Sequence, residues 1–493
     1  MQRGRRRSGS PARLAVVNHA RTRIVCTLGP ASSDVKSIAG LISAGADVLR
    51  LNGAHVQAGE LRSWVGRVRR ASRQAGREVA VMVDLPGVKL RVGSFRDGPS
   101  IELEPGSEVT LTGARRDGDP WRIPVHPWPD ARAVRKGQTV LLADGQLRLQ
   151  VIRRRGEELV AVVEEGGELL SGKGVAFPGV PLGLDVPTRR DRALARAAVH
   201  AGADWLALSF VRAGEDLRRL RATLRRAGAS SMPVAAKIER RDALPELEDI
   251  LRHSEAVMVA RGDLGVDVGG ENVPALQKQI VQAAHAAGRP VIIATEMLDS
   301  MTHRVRPTRA EVSDVAGAVY EGTDAVLLSG ETAVGEHPVL AVATLDRILT
   351  SAEEDGHAPY AGSALWTPPT SAAGRPDQHV VHAAVQLART TEARAIVVFT
   401  RSGQSAMRLA KERPRATIHA FAPSAAVCRR LTLAWGVEAR RMPGGSGTDA
   451  IVRAVTRRLR TEGALTPGDR AVLVMGGAKD PAGATTLIKL LTC

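Results

Sequence analysis

The 493-residue sequence is poor in aromatic residues and in cysteines, and its longest apolar runs are far too short to cross a membrane. The cysteines Cys26, Cys428 and Cys493 are scattered without metal-ligand spacing, which argues against a disulfide framework and is typical of a reducing cytoplasm. Because aromatics make up only 3% of the residues, the core must consist mainly of Val, Leu, Ala and Ile. The hydrophobic share of 44% and the charged share of 25% are ordinary for a globular protein. We therefore expect a cytoplasmic protein without a membrane partner, long enough for several domains.

Basic residues outnumber acidic ones by 69 to 52, which gives a net charge of +17. Such an excess can indicate a nucleic-acid-binding protein, whose affinity would fall steeply with salt and would depend little on Lys237. However, the excess is mostly arginine spread along predicted helices, and aromatics for base stacking are nearly absent. We therefore expect no nucleic-acid partner and favour anionic substrates.

Short β-type runs alternate with longer helical runs from residue 23 onward, which predicts parallel βα units. Two of the helices have capping-box starts, at Thr188 and at Thr308. Eight runs have the character of buried strands, the number that closes a (β/α)8 TIM barrel. These runs lie near residues 23–27, 47–51, 79–84, 204–209, 233–238, 256–260, 290–295 and 324–328.

The alternation stops between about residues 93 and 172, where the pattern is all-β and Asp144-Gly145 forms a hairpin signal. We interpret this segment as a small β-barrel domain inserted at the catalytic rim, where it would act as a lid that excludes water. The fold class predicted is thus α/β, a TIM barrel with an inserted β domain and a C-terminal open α/β domain. The predicted bounds are 1–19 for a disordered basic tail (or an organelle transit peptide), 20–92 and 173–350 for the barrel, 93–172 for the lid, 351–378 for a linker and 379–493 for the C-terminal domain.

The predicted strands end in residues suited to phosphate chemistry. Lys237 and Glu239 stand at i and i+2 on one strand end, so they point the same way, and Asp263 follows the next strand. Carboxylates from two strands suit Mg²⁺, which keeps few protein ligands and also binds phosphate oxygens. A nearby lysine would stabilise a phosphoryl group in transfer, and its replacement by methionine is expected to reduce kcat far more than stability. The alternative is a buried salt bridge from Lys237 to Glu239 or Asp263 that holds the barrel together.

Other strand ends carry further candidates for anion binding. Arg50 ends the second strand, and Lys89 and Arg91 follow the third. Arginine makes bidentate contacts to phosphate, although a single loop arginine is more often a solvated surface residue. Thr295 and Ser329 end two later strands.

A loop in the last domain, residues 400–405, lies between a predicted strand and a predicted helix. Its hydroxyls, its glycine and the free helix amides form a possible anion cradle. An ordinary capped turn explains the same residues equally well. The candidate effector-binding residues are Thr400, Ser402, Gly403 and Ser405.

Taken together, these motifs resemble pyruvate kinase from about residue 21 to the C-terminus. Residues 21–32 resemble the opening strand and loop of that family. The most specific motifs are residues 258–265 (MVARGDLG), 307–316 (PTRAEVSDVA) and 328–333 (LSGETA).

The resemblance implies transfer of the phosphoryl group of phosphoenolpyruvate to ADP, which gives pyruvate and ATP with Mg²⁺ or Mn²⁺. It also implies a lid domain, a possible phosphorylated effector and a homotetramer. By position, Glu239 and Asp263 match the metal ligands, and Lys237 matches the lysine that stabilises the phosphoryl group. The other positions carried over are Arg50 and Arg91 for phosphoryl contacts, Thr295 and Ser329 near the enolate, Gly262 for substrate, and Pro30, Asn52, His55 and Lys173 for the nucleotide.

The sequence departs from the family at the monovalent-cation region, which comprises Asn52, Asp84 and Lys89. Ala54 stands where the family commonly has a serine, and Lys89 stands where many members have a glutamate. The lysine is similar to members that work without potassium, because a fixed ammonium can supply the charge of a bound K⁺. We therefore expect activity without K⁺. Ala54, Pro86 and Val88 also leave open a catalytically weakened regulatory paralogue.

Overall fold

The computed structural model describes residues 19–181, 183, 185–360, 376–443, 448–476 and 485–493. Residues 1–18 of the predicted tail and 361–375 of the predicted linker lie outside the described residues. Residues 351–354 and 376–378 of that linker belong to the helices on either side of it.

The chain begins with three strands and two helices of the larger barrel. The strands are apolar and almost wholly buried, and helix ends are marked by local caps: Asp34 accepts hydrogen bonds from Lys36 N and Ser37 N, and Gly76 has a φ of 67°. The elements are β1 (Arg23–Leu28), α1 (Val35–Ser43), β2 (Val48–Asn52), α2 (Leu61–Ala75) and β3 (Ala80–Leu85).

A second, smaller barrel of seven strands follows, with its own apolar core and an additional two-stranded sheet of β5 and β11. The Asp144-Gly145 turn connects β8 to β9 as an antiparallel pair, as its sequence indicates. The predicted bounds 93–172 leave out β4 and β12. These two short strands lie where the chain enters and leaves the smaller barrel, and they pair with each other. The strands are β4 (Leu90–Val92), β5 (Ser100–Leu103), β6 (Glu108–Thr112), β7 (Arg122–His126), β8 (Thr139–Leu142), β9 (Leu147–Arg155), β10 (Glu158–Glu165), β11 (Gly167–Leu170) and β12 (Gly174–Ala176).

The chain then returns to complete the larger barrel, which confirms the eight predicted parallel strands. The remaining elements of this domain are α3 (Arg189–Ala201), β13 (Trp205–Leu208), α4 (Gly214–Arg226), β14 (Val234–Ile238), α5 (Leu247–His253), β15 (Ala256–Ala260), α6 (Arg261–Val268), α7 (Val273–Ala286), β16 (Val291–Ala294), α8 (Arg309–Tyr320), β17 (Ala325–Leu328), α9 (Gly330–Ala333) and α10 (Pro338–Glu354). The order of the eight strands around the barrel is β1-β17-β16-β15-β14-β13-β3-β2.

Apolar side chains fill the inside of this barrel and the layer between its strands and helices. The interior holds side chains such as Met82, Met258 and Ile292, so the barrel is a packed core. Because all eight strands are parallel, their carboxyl ends open on one face, here called the mouth.

The C-terminal domain is an open five-stranded sheet in the order β20-β19-β18-β21-β22, parallel except for β22. It packs against the amino-terminal end of the barrel, where Leu433 joins the apolar cluster of the barrel interior. Its elements are α11 (Pro376–Thr390), β18 (Ala395–Phe399), α12 (Gln404–Lys411), β19 (Thr417–Ala422), α13 (Ala425–Leu431), β20 (Val437–Arg441), α14 (Thr448–Thr461), β21 (Arg470–Met475) and β22 (Leu487–Thr492).

Candidate active site

Lys237 is the centre of a buried network at the mouth. It lies on β14 and is only 8% exposed. Its Nζ is 3.0 Å from Glu239 Oε1 and 3.2 Å from Asp84 Oδ2, and it donates to Ser209 Oγ at 2.8 Å. Burial alone would lower the pKa of Lys237, but the two carboxylates raise it, so the side chain stays an ammonium.

Arg50, on β2, is a second cation that pairs with Asp84. Its Nε and Nη2 donate to Asp84 Oδ2 at 2.9 and 2.5 Å, and its Nη1 donates to Thr27 Oγ1 at 3.0 Å. Burial alone would raise the pKa of Asp84, but Lys237 and Arg50 hold it below its ordinary value. The ionised Asp84 therefore fixes the position of both cations.

Glu239 is almost fully buried, at 1% exposure, and its Oε2 accepts a hydrogen bond of 2.6 Å from Phe210 N. Phe210 has a φ of 55°, a left-handed conformation that costs energy for an aromatic residue. Burial raises the pKa of Glu239, the Lys237 ammonium lowers it, and the negative charges of Asp263 and Asp84 raise it further. A second cation beside this carboxylate would therefore be favoured.

Asp263 lies in α6, directly after β15, and borders the same cleft as Glu239. Its Oδ1 is 3.0 Å from Lys89 Nζ, which is also 3.2 Å from Asp144 Oδ1 in the smaller barrel. Burial alone would lower the pKa of Lys89, but Asp263 and Asp144 raise it. Lys89 therefore joins the two barrels through Asp263 and Asp144, whereas Asp84 of the predicted monovalent-cation region pairs with Arg50 and Lys237.

Thr295 and Gly262 form a further part of the mouth, after β16 and β15. Gly262 N donates to Thr295 Oγ1 at 2.9 Å, and the Thr295 carbonyl accepts from the guanidinium of Arg261 at 2.8 Å. Thr295 has a φ of 73°, another left-handed non-glycine residue at a strand end. Residues held in such conformations cluster at functional sites, because their surroundings must support the strain.

Ser329 follows β17, and its backbone N donates to the buried carboxylate of Glu331 at 2.7 Å. The same carboxylate accepts from Leu298 N at 3.1 Å, so it connects the loops after β16 and β17. Burial raises the pKa of Glu331.

The predicted nucleotide-side residues come from three separate segments of the chain. Pro30 and His55 are exposed at the ends of β1 and β2, and Asn52 Oδ1 accepts from Ala54 N at 3.1 Å. Lys173 is exposed in the smaller barrel, just before β12. In this arrangement Asn52 is used locally, to fix the loop after β2.

Arg91 is not brought to the Lys237 network. It lies on β4 in the smaller barrel, is exposed, and its Nη1 donates to the Gly172 carbonyl at 2.8 Å.

Glu239 and Asp263 fit a hard divalent cation, because both offer carboxylate oxygens to one cleft. No group of three or more His, Cys, Asp or Glu side chains able to hold a metal exists within the described ranges. A magnesium ion here would thus need ligands from substrate or water as well.

No helix among the described residues is long and apolar enough to span a membrane.

The residues of the predicted effector loop, 400–405, fall into two groups with different contacts. Thr400 Oγ1 accepts from Gly403 N at 2.9 Å, and Ser405 Oγ shares a hydrogen bond of 2.6 Å with Thr485 Oγ1. Ser402 and Gly403 instead line a cleft between this domain and the barrel.

Sequence reasoning missed Ser209, Thr27 and Asp144 at the mouth. Ser209 and Thr27 lie at the ends of strands, a position that can indicate a site residue. However, a single hydroxyl residue does not form a recognisable sequence motif. Asp144 comes from the inserted domain, so its approach to Lys89 follows only from the packing of the two barrels.

The (β/α)8 barrel has buried cations and carboxylates at its mouth, and an inserted β domain lies beside it. This arrangement defines a class of phosphotransferase. Residues 19–342 match the family described as pyruvate kinase, barrel domain, and residues 378–491 match pyruvate kinase, alpha/beta domain. The chain therefore belongs to the pyruvate kinase family. Members of this family generally depend on Mg²⁺.

Individual relatives are similar in sequence to this chain over nearly its whole length. The chain is 38% identical to a pyruvate kinase of Methylorubrum extorquens over 475 residues, which cover 95% of this chain and 97% of the relative. It is also 38% identical to a pyruvate kinase of Mycobacterium tuberculosis, with the same coverage. A solved pyruvate kinase from Cryptosporidium parvum superposes with a TM-score of 0.89 at 31% identity and covers 96% of both chains.

Proposed function

We propose that this chain transfers the phosphoryl group of phosphoenolpyruvate to ADP at the mouth of the larger barrel, with Mg²⁺ and without a requirement for K⁺. The observation that carries the proposal is the position of Lys237, a buried ammonium between Glu239 and Asp84, beside the cleft that Asp263 borders.

Lys237 would stabilise the negative charge on the transferring phosphoryl oxygens, and Arg50 would hold the phosphate from the neighbouring strand. Both cations are already oriented by Asp84, so little reorganisation is needed when substrate binds. The smaller barrel beside the cleft would exclude water during transfer.

Glu239 and Asp263 would hold the Mg²⁺ ion, whose chemistry is to neutralise phosphate oxygens and align the reacting groups. Gly262 and Thr295 would line the substrate side, and the Thr295 hydroxyl or a water near it would deliver the proton to the enolate. Ser329 lies on the next strand end.

Lys89 supports activity without K⁺, because its ammonium already lies 3.0 Å from Asp263, close to the mouth. A coupled assay of pyruvate formation from phosphoenolpyruvate and ADP tests both parts of the proposal. We expect equal turnover in K⁺ and in tetramethylammonium buffers. Absence of pyruvate would overturn the activity, whereas a collapse of turnover only in tetramethylammonium would overturn the K⁺ part.

We also propose a homotetramer, as the family resemblance implies. Exposed apolar side chains on α8 and α10 support it: Val312, Tyr320, Val339 and Leu340. Light scattering coupled to size exclusion tests it against four times the chain mass of 52.3 kDa.

A further inference from the structure

The turn that follows β13 contacts both the lysine and a carboxylate of the candidate active site. It consists of Ser209 and Phe210 and is here called the Ser209–Phe210 turn. The Ser209 hydroxyl accepts from Lys237 Nζ at 2.8 Å, and the Phe210 N–H donates to Glu239 Oε2 at 2.6 Å. Two consecutive residues of one strand end therefore hold two functional side chains from the end of the neighbouring strand, β14.

The Ser209 hydroxyl has a fixed direction. It is buried, and besides accepting from Lys237 it donates to Asp84 Oδ1 at 3.3 Å. A hydroxyl has a single proton, so the bond to Asp84 turns the oxygen lone pairs of Ser209 towards the ammonium.

All three N–H groups of the Lys237 ammonium have an acceptor. The acceptors are Ser209 Oγ at 2.8 Å, Glu239 Oε1 at 3.0 Å and Asp84 Oδ2 at 3.2 Å. The proposed function also assigns the Glu239 carboxylate to the metal, so Ser209 and Asp84 are the acceptors that hold Lys237 independently of it. Asp84 Oδ2 is shared with Arg50, whereas Ser209 makes the shortest of the three contacts to Lys237.

Phe210 presents its N–H to Glu239 through an unfavourable backbone conformation. A φ of 55° is costly for an aromatic residue and persists only where the surroundings support it. Part of this support comes from the neighbouring strand, because Ser209 N donates to the Leu85 carbonyl at 3.2 Å.

Gly87, in the loop after β3, supplies the rest of the support. It has a φ of 63°, and a Cβ at this position would lie 2.8 Å from Phe210 Cδ2 and 3.2 Å from the Ser209 carbonyl oxygen. The backbone of Gly87 thus packs closer to the turn than any other residue type would allow. Its own N–H donates to Asp191 Oδ1, a buried carboxylate at the start of α3, at 3.1 Å.

We propose that Ser209 and Phe210 are positioning residues of the active site. The Ser209 hydroxyl orients the Lys237 ammonium, the Phe210 N–H orients the Glu239 carboxylate, and the close approach of Gly87 keeps the turn in place. These roles rest on the proposed function. Because one turn holds both groups, its displacement should disturb the phosphoryl side and the metal side together.

Ser209→Ala tests the lysine side, because it removes the hydroxyl and keeps the Phe210 N–H. We expect kcat for pyruvate formation to fall at least about tenfold and KM for phosphoenolpyruvate to change less than about twofold. The affinity for Mn²⁺ without substrate, measured by electron paramagnetic resonance, should stay as in the wild type. Ser254→Ala removes another fully buried hydroxyl, which donates to the Ile250 carbonyl, and should keep wild-type kcat.

Gly87→Ala tests the turn as a unit, because the added Cβ would push against Phe210 and Ser209. We expect kcat to fall at least about tenfold and the Kd for Mn²⁺ to rise at least about threefold. Gly76→Ala is the matched control at a φ of 67°, where a Cβ would meet no atom within 4 Å among the described residues. It adds similar backbone strain and should keep wild-type kcat and Mn²⁺ affinity.

Wild-type kcat in Ser209→Ala, or wild-type Mn²⁺ affinity in a folded Gly87→Ala, overturns the proposal. Equal losses in Gly76→Ala and Gly87→Ala would also overturn it, since strain alone would then explain them. If Gly87→Ala does not fold, Ser209→Ala against Ser254→Ala decides. A wild type that forms no pyruvate refutes the proposed function instead, and the Mn²⁺ measurements then still test the turn.

Discussion

At the scale of single residues, Lys237 has a structural role as well as its proposed chemical one. It neutralises two carboxylates that are at most 1% exposed, Asp84 and Glu239. The salt bridge that was the alternative interpretation of the sequence is therefore present, and it is compatible with catalysis. Breaking a buried ion pair commonly costs about 3–5 kcal/mol, because the partner charge stays buried.

We predict that Lys237→Met lowers kcat by at least about 10²-fold, because it removes a preoriented donor from the phosphoryl group. In contrast to the expectation from sequence, stability should also fall, since two carboxylates lose a partner. The coupled assay measures the first effect, and urea unfolding measures the second. Lys278→Met, at an exposed lysine of α7, is the matched control. Turnover like that of the wild type would remove Lys237 from the mechanism.

We predict that Lys89→Glu makes turnover depend on K⁺, because a carboxylate would replace the ammonium beside Asp263 and Asp144. In tetramethylammonium buffer its turnover should fall at least about tenfold, and K⁺ should restore part of the loss. Lys136→Glu, on the surface of the smaller barrel, controls for the change in net charge. Equal turnover of the Lys89 variant in both buffers would contradict the assigned role of this lysine.

At the scale of elements, the start of α8 shows how local capping supports the mouth. Thr308 Oγ1 accepts from Glu311 N at 3.2 Å, and the Glu311 carboxylate accepts from Thr308 N at 2.7 Å. The same carboxylate accepts from Ser300 N and Ser300 Oγ. The cap therefore also holds the segment that follows Thr295.

We predict that Thr308→Ala lowers the free energy of unfolding by about 1 kcal/mol, through loss of the N-cap. Thr308→Ser keeps the hydroxyl and should stay close to the wild type. Chemical denaturation measures both variants. An unchanged midpoint in the alanine variant would mean that Glu311 alone supports the helix start.

At the scale of the whole molecule, the C-terminal domain closes the amino-terminal end of the barrel. Lys411 and Arg413 of that domain both pair with Asp324, at 2.5 and 3.0 Å, and all three side chains are almost fully buried. Arg413 also stacks on Trp435, with its guanidinium carbon 4.6 Å from the ring centre. The two domains therefore share one buried charge network.

Lys411 should make the stability of this interface depend on pH. Its folded pKa of about 8 lies below its ordinary value of 10.5, so between these values the unfolded chain binds more protons than the folded one. The free energy of unfolding of the wild type should therefore rise with pH across this window relative to Lys411→Met. Thermal unfolding from pH 7 to 10 measures the difference, and Lys36→Met is an exposed control. Parallel curves for the wild type and Lys411→Met would contradict the shift.

Much of the fold follows from local patterns that the sequence contains. Apolar runs predict the eight barrel strands, and the two predicted capping boxes at Thr188 and Thr308 are confirmed. The pairing of Lys237 with Glu239 was also predictable, because side chains at i and i+2 of a strand share a side and parallel strands end on one face.

Tertiary packing alone decides the other contacts. Lys89 meets Asp144 because the smaller barrel packs beside the mouth, whereas the side chain of Arg91 donates to the Gly172 carbonyl within that barrel. The cleft that Ser402 and Gly403 line exists only because the C-terminal domain packs against the barrel's amino-terminal end. Such contacts join residues that are distant in the chain, and their geometry depends on how rigid bodies pack, which periodicity and spacing do not encode.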